Sequence, residues 1–189
     1  MADSKTTPED PPPAPHRYTT THDAVSGKSI FSPSLPETVA GYGSIGMQVF
    51  DSYKTFSTPL DMSDDADIAA LKSDVAQRAA DVAPSSVWFP APGESLLRYC
   101  DWAPGATLDL HRTETIDFGV VLQGAMELTL DSGEVRVLRV GDTIVQRGTL
   151  HSWRNPSDTV WARVIFFLLG TPPVKVNGEE KAEHLPWKG

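Results

Sequence analysis

Three residues able to hold a metal ion or move a proton, His111, Asp117 and His151, stand in or beside runs that are otherwise apolar. A polar group is costly to bury without a partner, so such placements carry information. His111 and Asp117 differ by six, an even number that would turn them to one side of a single extended ribbon, with residues 113–115 reading as a turn between them. Two more groups lie on the preceding apolar run. Arg98 would bind a carboxylate or enolate and Tyr99 could donate a proton; alternation lets only one of them face inward. Counting by twos from Asp117 places Gly119, Val121 and Gln123 on its side, and counting from His151 does the same for Trp153. Trp88, Phe89, Trp102, Phe118 and Trp161 supply further candidate walls for an apolar pocket. Arg112 and Arg147 flank inward positions and are expected at the surface in salt bridges. Cys100, the only cysteine, reads as a small buried hydrophobe.

These side chains need strands to position them. From residue 95 the chain breaks into short β-rich runs, at 95–102, 107–112, 116–123, 125–130, 134–139, 143–146 and 159–168. Asp131-Ser132-Gly133-Glu134 reads as a hairpin turn and Val140-Gly141-Asp142 as a second tight corner. Many short strands at this spacing predict a sandwich or barrel, and the lack of a fixed-period repeat rules out propellers and solenoids. Upstream, residues 17–21 and 47–50 read as edge strands among Gly and Pro punctuation. Residues 64–83 contain no Gly or Pro, and Ile68, Leu71, Val75, Ala79 and Val82 recur at helical spacing. Ser63 is expected to cap that helix, Asp64, Asp65 and Asp67 suit its positive end, and Pro84 stops it. Its expected place is the outside of a sheet or a partner interface. Residues 1–15, with five prolines and no aromatic residue, are expected to form a disordered or docked tail. Residues 16–94 then form an N-terminal extension, 95–169 the core and 170–189 a C-terminal tail.

Composition narrows the function classes. The chain has 189 residues, 25 of them acidic and 16 basic, for a net charge of −9. That balance repels a polyanionic backbone, so no nucleic-acid partner is expected. The longest apolar run, residues 164–169, is far shorter than the ~20 residues of a membrane-spanning helix. The opening MADSKTTPED lacks the apolar core of a signal peptide. A single cysteine allows no internal disulfide and no cysteine-built zinc site. A cytoplasmic, one-domain protein acting on a small molecule is the expectation.

The order Gly105, His111, Thr113, Asp117, Gly124 has the spacing of the first motif of the cupin superfamily, and residues 141–151 followed by Asn155 resemble the second. The family pattern usually has a second histidine where this chain has Thr113, a glutamate where it has Asp117 and a proline where it has Gln146. The resemblance implies an all-β double-stranded β-helix, or jelly-roll barrel, with an N-terminal β extension and one or two peripheral helices. Its motif residues would point into the barrel mouth, and a homodimer is implied as well. His111, Asp117 and His151 would then hold a divalent metal ion (Fe, Zn, Mn or Ni). Two imidazoles and one carboxylate form the facial triad of iron(II) sites and also suit catalytic zinc. Thr113, with Arg98 or Tyr99, would orient the substrate, in a pocket lined by Trp153, Val121, Gln123 and Trp88.

Residues 111–113, 116–124 and 146–155 further resemble small single-domain cupins of fungi and bacteria, some encoded in fungal polyketide biosynthetic clusters. That likeness implies a metal-dependent tailoring enzyme of lyase type, dehydrating, cyclising or decarboxylating a polyketide-like intermediate. An iron(II) dioxygenase and a non-catalytic small-molecule-binding protein are the alternatives.

Overall fold

The structure, a computed structural model, describes residues 8–44, 46–80 and 87–187. Its strands in chain order are β1 (Thr20–His22), β2 (Ser29–Phe31), β3 (Tyr42–Ser44) and β4 (Met47–Thr55). A helix, α1 (Ala66–Ala80), separates these from β5 (Ser95–Trp102), β6 (Thr107–His111), β7 (Thr115–Gln123) and β8 (Ala125–Leu130). There follow β9 (Val135–Arg139), β10 (Thr143–Arg147), β11 (His151–Arg154), β12 (Ala162–Gly170), β13 (Val174–Val176) and β14 (Glu179–Lys181).

The architecture is the expected all-β jelly roll of two facing sheets. The larger runs β10-β7-β12-β5-β4-β3 and the smaller β6-β11-β8-β9, with short hairpins β1-β2 and β13-β14 outside them. Alternation explains why the layers stick. Along β12, Val164, Phe166 and Leu168 are buried, while Phe167 stands on the outer face. Their inward side chains join Leu96, Trp102, Val121, Met126, Leu128 and Trp153 in one apolar core. Burying a side chain of this size contributes roughly 1.5–3 kcal/mol. The Trp102 and Trp153 rings meet at 6.2 Å between centroids, joining the larger sheet to the smaller.

Corners hold where the sequence supplies special residues. The 131–134 turn closes β8-β9 with Leu130 N–H donating to Glu134 O. At Gly124 the backbone has φ +69, and a Cβ there would come within 2.7 Å of the Trp161 carbonyl, so glycine is required between β7 and β8. Asn155 is fully buried, and its amide donates to the carbonyls of Trp102, Ala103 and Val160 while its oxygen accepts from Ser157 N–H. One side chain thus pins the loop after β11 to the end of β5.

Several expectations need correction. Residues 47–50 belong to β4, which is no edge strand: it pairs with β5 on one side and β3 on the other. The helix starts at Ala66, behind a 3-10 turn over Ser63–Asp65, and Ser63 does not cap it. Asp64 and Asp65 adopt φ of 50 and 57, and this left-handed turn ends before the helix begins. Ile68 and Leu71 bury against Leu35, Tyr53 and Phe56 on the outside of the large sheet, whereas Val75 remains exposed. Val82 and Pro84 lie outside the described residues. Of the two alternatives expected for the N-terminal segment, disordered or docked, residues 8–15 take the second. Glu9 N–H donates to Thr159 O, Trp161 Nε1–H to Glu9 O and Arg163 Nη2–H to Pro13 O, with Pro12 and Pro15 buried. Backbone polar groups and proline rings, not large apolar side chains, hold that segment. Residues 151–154, absent from the predicted strands, form β11 between β6 and β8.

Candidate active site

The site is assembled by strand pairing across the open end of the two sheets. In the smaller sheet His111, the last residue of β6, pairs directly with His151, the first of β11. In the larger sheet Gln146 of β10 pairs directly with Asp117 of β7. These four side chains are buried, between 2% and 6% exposed, and all border one cavity of about 640 Å³. Thr113 lines it as well, and its walls are otherwise mainly apolar, among them Met47, Phe89, Trp102, Trp153, Phe166 and Leu168.

Both imidazoles are oriented in the same way. His111 Nδ1 lies 2.8 Å from Asp109 O, and His151 Nδ1 lies 2.8 Å from Thr149 O. A carbonyl only accepts, so in each ring Nδ1 carries the hydrogen and Nε2 keeps its lone pair. At His151 that lone pair is taken by the Gln146 amide, whose N–H donates at 2.8 Å and also reaches Asp117 Oδ2 at 3.3 Å. His111 Nε2 has no hydrogen-bond partner among the described residues. Burial lowers the pKa of His111, and burial with His111 close by lowers that of His151 to about 3, so both rings are neutral near pH 7. Burial raises the Asp117 carboxyl to about 6, against smaller opposing effects of the Thr115 hydroxyl, Arg98 and the Gln146 amide. Thr113 and Thr115 hydroxyls are 2.7 Å apart, which extends a hydroxyl path from beside Asp117 to the cavity.

A second polar cluster stands on β4 and β5. Arg98 Nε donates to Asp51 Oδ1 at 2.7 Å, and Nη2 donates to Tyr42 Oη at 2.9 Å and to Trp88 O at 2.7 Å. Burial works against the guanidinium charge, and Asp51 and Tyr42 more than offset it, holding its pKa above the ordinary value. The remaining nitrogen, Nη1, makes no hydrogen bond among the described residues.

The donor types His111, His151 and Asp117 suit a divalent cation, yet their arrangement does not. A cation needs lone pairs, and those of His151 Nε2 and Asp117 Oδ2 face amide hydrogens of Gln146. Among the described residues no three His, Cys, Asp or Glu side chains gather as a metal-holding group. As folded, these residues do not fit the three-ligand centre that the sequence pattern implied. Gln146 Oε1 and Asp117 Oδ1 are both buried without a hydrogen-bond partner among the described residues, an unsatisfied pair at the heart of the site.

Other sequence-predicted residues divide. Between Arg98 and Tyr99, the register of β5 turns Arg98, Cys100 and Trp102 to the cavity and sends Tyr99 to the opposite face, against the Arg163 guanidinium. Trp153 lines the cavity. Val121 and Gln123 do not, because along an extended strand they sit roughly 13 and 20 Å beyond Asp117. Val121 is sealed in the apolar core and Gln123 pairs with Arg163 at the far end of β7. Trp88 contributes its carbonyl to Arg98, while its ring packs under the Lys54 ammonium at 4.5 Å instead of lining the cavity. Phe118 and Trp161 also lie outside the cavity lining. Arg112, expected in a surface salt bridge, instead binds the backbone of the C-terminal segment. Sequence reasoning missed Tyr42, Asp51 and Trp187, and gave Gln146 no role. Only the odd residue at a proline position hinted at Gln146.

Comparison with known proteins agrees with this architecture. Residues 98–168 match the family model described as a cupin domain. The chain is 41% identical over 166 residues to phomopsin biosynthesis cluster protein D of Diaporthe leptostromiformis, spanning 87% of this chain and 83% of that one. It is 40% identical over 179 residues to oryzines biosynthesis cluster protein J of Aspergillus oryzae, 94% and 95% of the two chains. A cupin-domain-containing oxidoreductase of Neurospora crassa is 34% identical over 169 residues, 88% and 79% of the two chains. By motif, by architecture and by similarity over most of its length, the chain belongs to the cupin superfamily, and its relatives include proteins of fungal biosynthetic clusters and a cupin-domain-containing oxidoreductase.

Proposed function

We propose that this protein is a small-molecule tailoring enzyme of secondary metabolism that performs a lyase-type reaction, an elimination, cyclisation or decarboxylation, by acid–base chemistry. The observation that carries the proposal is a neutral imidazole with a free Nε2 and a buried carboxyl with a pKa of about 6, both bordering one large, mainly apolar cavity. Membership of the same family as fungal cluster proteins supports the small-molecule tailoring role.

In an elimination, His111 Nε2 takes a proton from a carbon next to a substrate carbonyl. The C–H electron pair becomes the new C=C bond as the C–O bond to the leaving hydroxyl breaks. The leaving oxygen accepts a proton from Thr113, which is replenished through Thr115 by Asp117, so His111 ends protonated and Asp117 ionised. Arg98 binds the substrate's carboxylate or enolate oxygen. The phenol of Tyr42 and the Asp51 carboxylate hold the guanidinium in place. Trp102, Trp153 and Phe166 give the apolar remainder of the substrate its surface.

The test is incubation of the wild type and His111→Ala with a panel of polyketide-like β-hydroxy and β-keto acids, reading loss of water or carbon dioxide by mass spectrometry while oxygen is monitored. Product formed without oxygen uptake, and reduced by roughly 10²–10⁴ in the variant, is the expected result. A second reading, an oxidoreductase using an iron(II) facial triad, is favoured by the names of relatives such as the Neurospora protein. It requires Gln146 to turn its amide away from His151 and Asp117. Oxygen uptake with an oxygenated or oxidised product would establish it over the lyase. Binding of panel compounds without any turnover would point to a binding protein.

A further inference from the structure

Residues 182–187, which follow β14, do not trail into solvent. They run beside the loop that carries His111 and Thr113, where Arg112 and His184 exchange two backbone hydrogen bonds, of 2.8 and 2.9 Å. The Arg112 guanidinium reaches Ala182 O at 3.4 Å, and Glu183 N–H donates to Glu114 Oε1 at 3.1 Å. Leu185 is buried at the end of this anchor. Two residues later, Trp187 lies over His111, with ring centroids 5.2 Å apart and planes tilted by 57°. The His111 ring therefore lies between His151, at 4.3 Å, and Trp187. Trp187 is a cavity-wall residue that is itself 37% exposed, and it makes no hydrogen bond among the described residues.

This combination is that of a hinged cover. The backbone is fixed through residue 185, while the indole beyond it is held by ring contact alone and can swing at modest cost. His111 is 6% exposed while it is covered.

We propose that Trp187 is a specificity-determining residue that sets the size of molecule able to reach His111 Nε2. The inference goes beyond the proposed reaction, because it concerns access to His111 and holds whatever chemistry that imidazole performs.

The experiment uses the full chain and two histidine-directed reagents of different size, diethyl pyrocarbonate and the bulkier p-bromophenacyl bromide. Modification rates of each histidine are read by peptide mass spectrometry in the wild type, Trp187→Ala and Trp187→Phe. In Trp187→Ala, His111 reacts about tenfold faster with the bulky reagent and several-fold faster with the small one, while His22 and His151 keep their wild-type rates. Trp187→Phe, which keeps an aromatic cover, stays within about threefold of the wild type. His111 rates in Trp187→Ala within twofold of the wild type for both reagents overturn the proposal. So does a parallel rise at His151, which would mean that Trp187 merely stabilises the fold. Neither readout uses turnover, so failure here is distinguishable from failure of the lyase reading.

Discussion

Two polar clusters share the wall of one cavity and are built on opposite principles. Around Arg98 the charges are matched: Asp51, Tyr42 and the Trp88 carbonyl all bind one guanidinium. Around Gln146 they are not, since Asp117 Oδ1 and Gln146 Oε1 are buried without hydrogen-bond partners among the described residues. A buried group left unpaired costs roughly 1–3 kcal/mol, so a fold keeps such groups at the expense of stability. The contrast teaches where structure ends and chemistry begins. The Arg98 cluster is a rigid mount with one nitrogen to spare, while the His111–Asp117 cluster holds its reactive atoms ready for a substrate.

The largest expected effect tests the mount. Arg98→Met leaves the Asp51 carboxylate half-buried without its main partner and should cost about 3–5 kcal/mol in urea unfolding. A loss below ~1 kcal/mol would show that the Arg98 cluster is as loosely paired as the other and break the contrast. Next comes pH. The folded protein holds Asp117 protonated up to about 6, whereas the unfolded chain ionises it near the ordinary value of about 4. Its contribution to stability is therefore full below pH 4 and lost as pH rises through 6. Asp117→Asn, neutral throughout, should gain about 3 kcal/mol on the wild type between pH 4 and pH 8. A pH-independent difference in unfolding free energy would mean that burial does not govern this carboxyl.

A further measurement concerns the amide between His151 and Asp117. Gln146→Ala frees both lone pairs, so after incubation with zinc the variant should retain up to about one equivalent, lost again in Gln146→Ala/His151→Ala, while the wild type retains little. Stoichiometric metal in the wild type by elemental analysis would show that Gln146 yields to a cation. The smallest effect sharpens the Arg98 side. Tyr42→Phe removes one hydrogen bond to the guanidinium and one to Asp51 and should cost about 1–2 kcal/mol in thermal or urea unfolding.

Much of the jelly roll was legible. Residues 95–102 and 125–130 read as short β-rich runs between turn signals, and β5 and β8 occupy those spans. The His111, Asp117 and His151 positions stood out because polar residues in apolar strands need a reason. β11 was not legible, since four residues reading His-Ser-Trp-Arg carry too little alternation to announce a strand. Nor was the docking of residues 8–15, whose partners Thr159, Trp161 and Arg163 lie some 150 positions away.

What the amino-acid sequence determined by itself was local: which segments are extended, where glycines and turns must fall, and which residue types could do chemistry. Those follow from backbone sterics and side-chain period, both properties of neighbours in the chain. Which residues meet was decided by the tertiary structure alone. Pairing of β10 with β7 brought Gln146 to Asp117, and pairing of β6 with β11 brought His111 to His151. The register of β5 chose Arg98 over Tyr99, and the C-terminal backbone bridge carried Trp187 onto His111. A one-residue slip in any of these registers would turn the side chain away from the cavity, and register is a relation between segments that no single segment encodes.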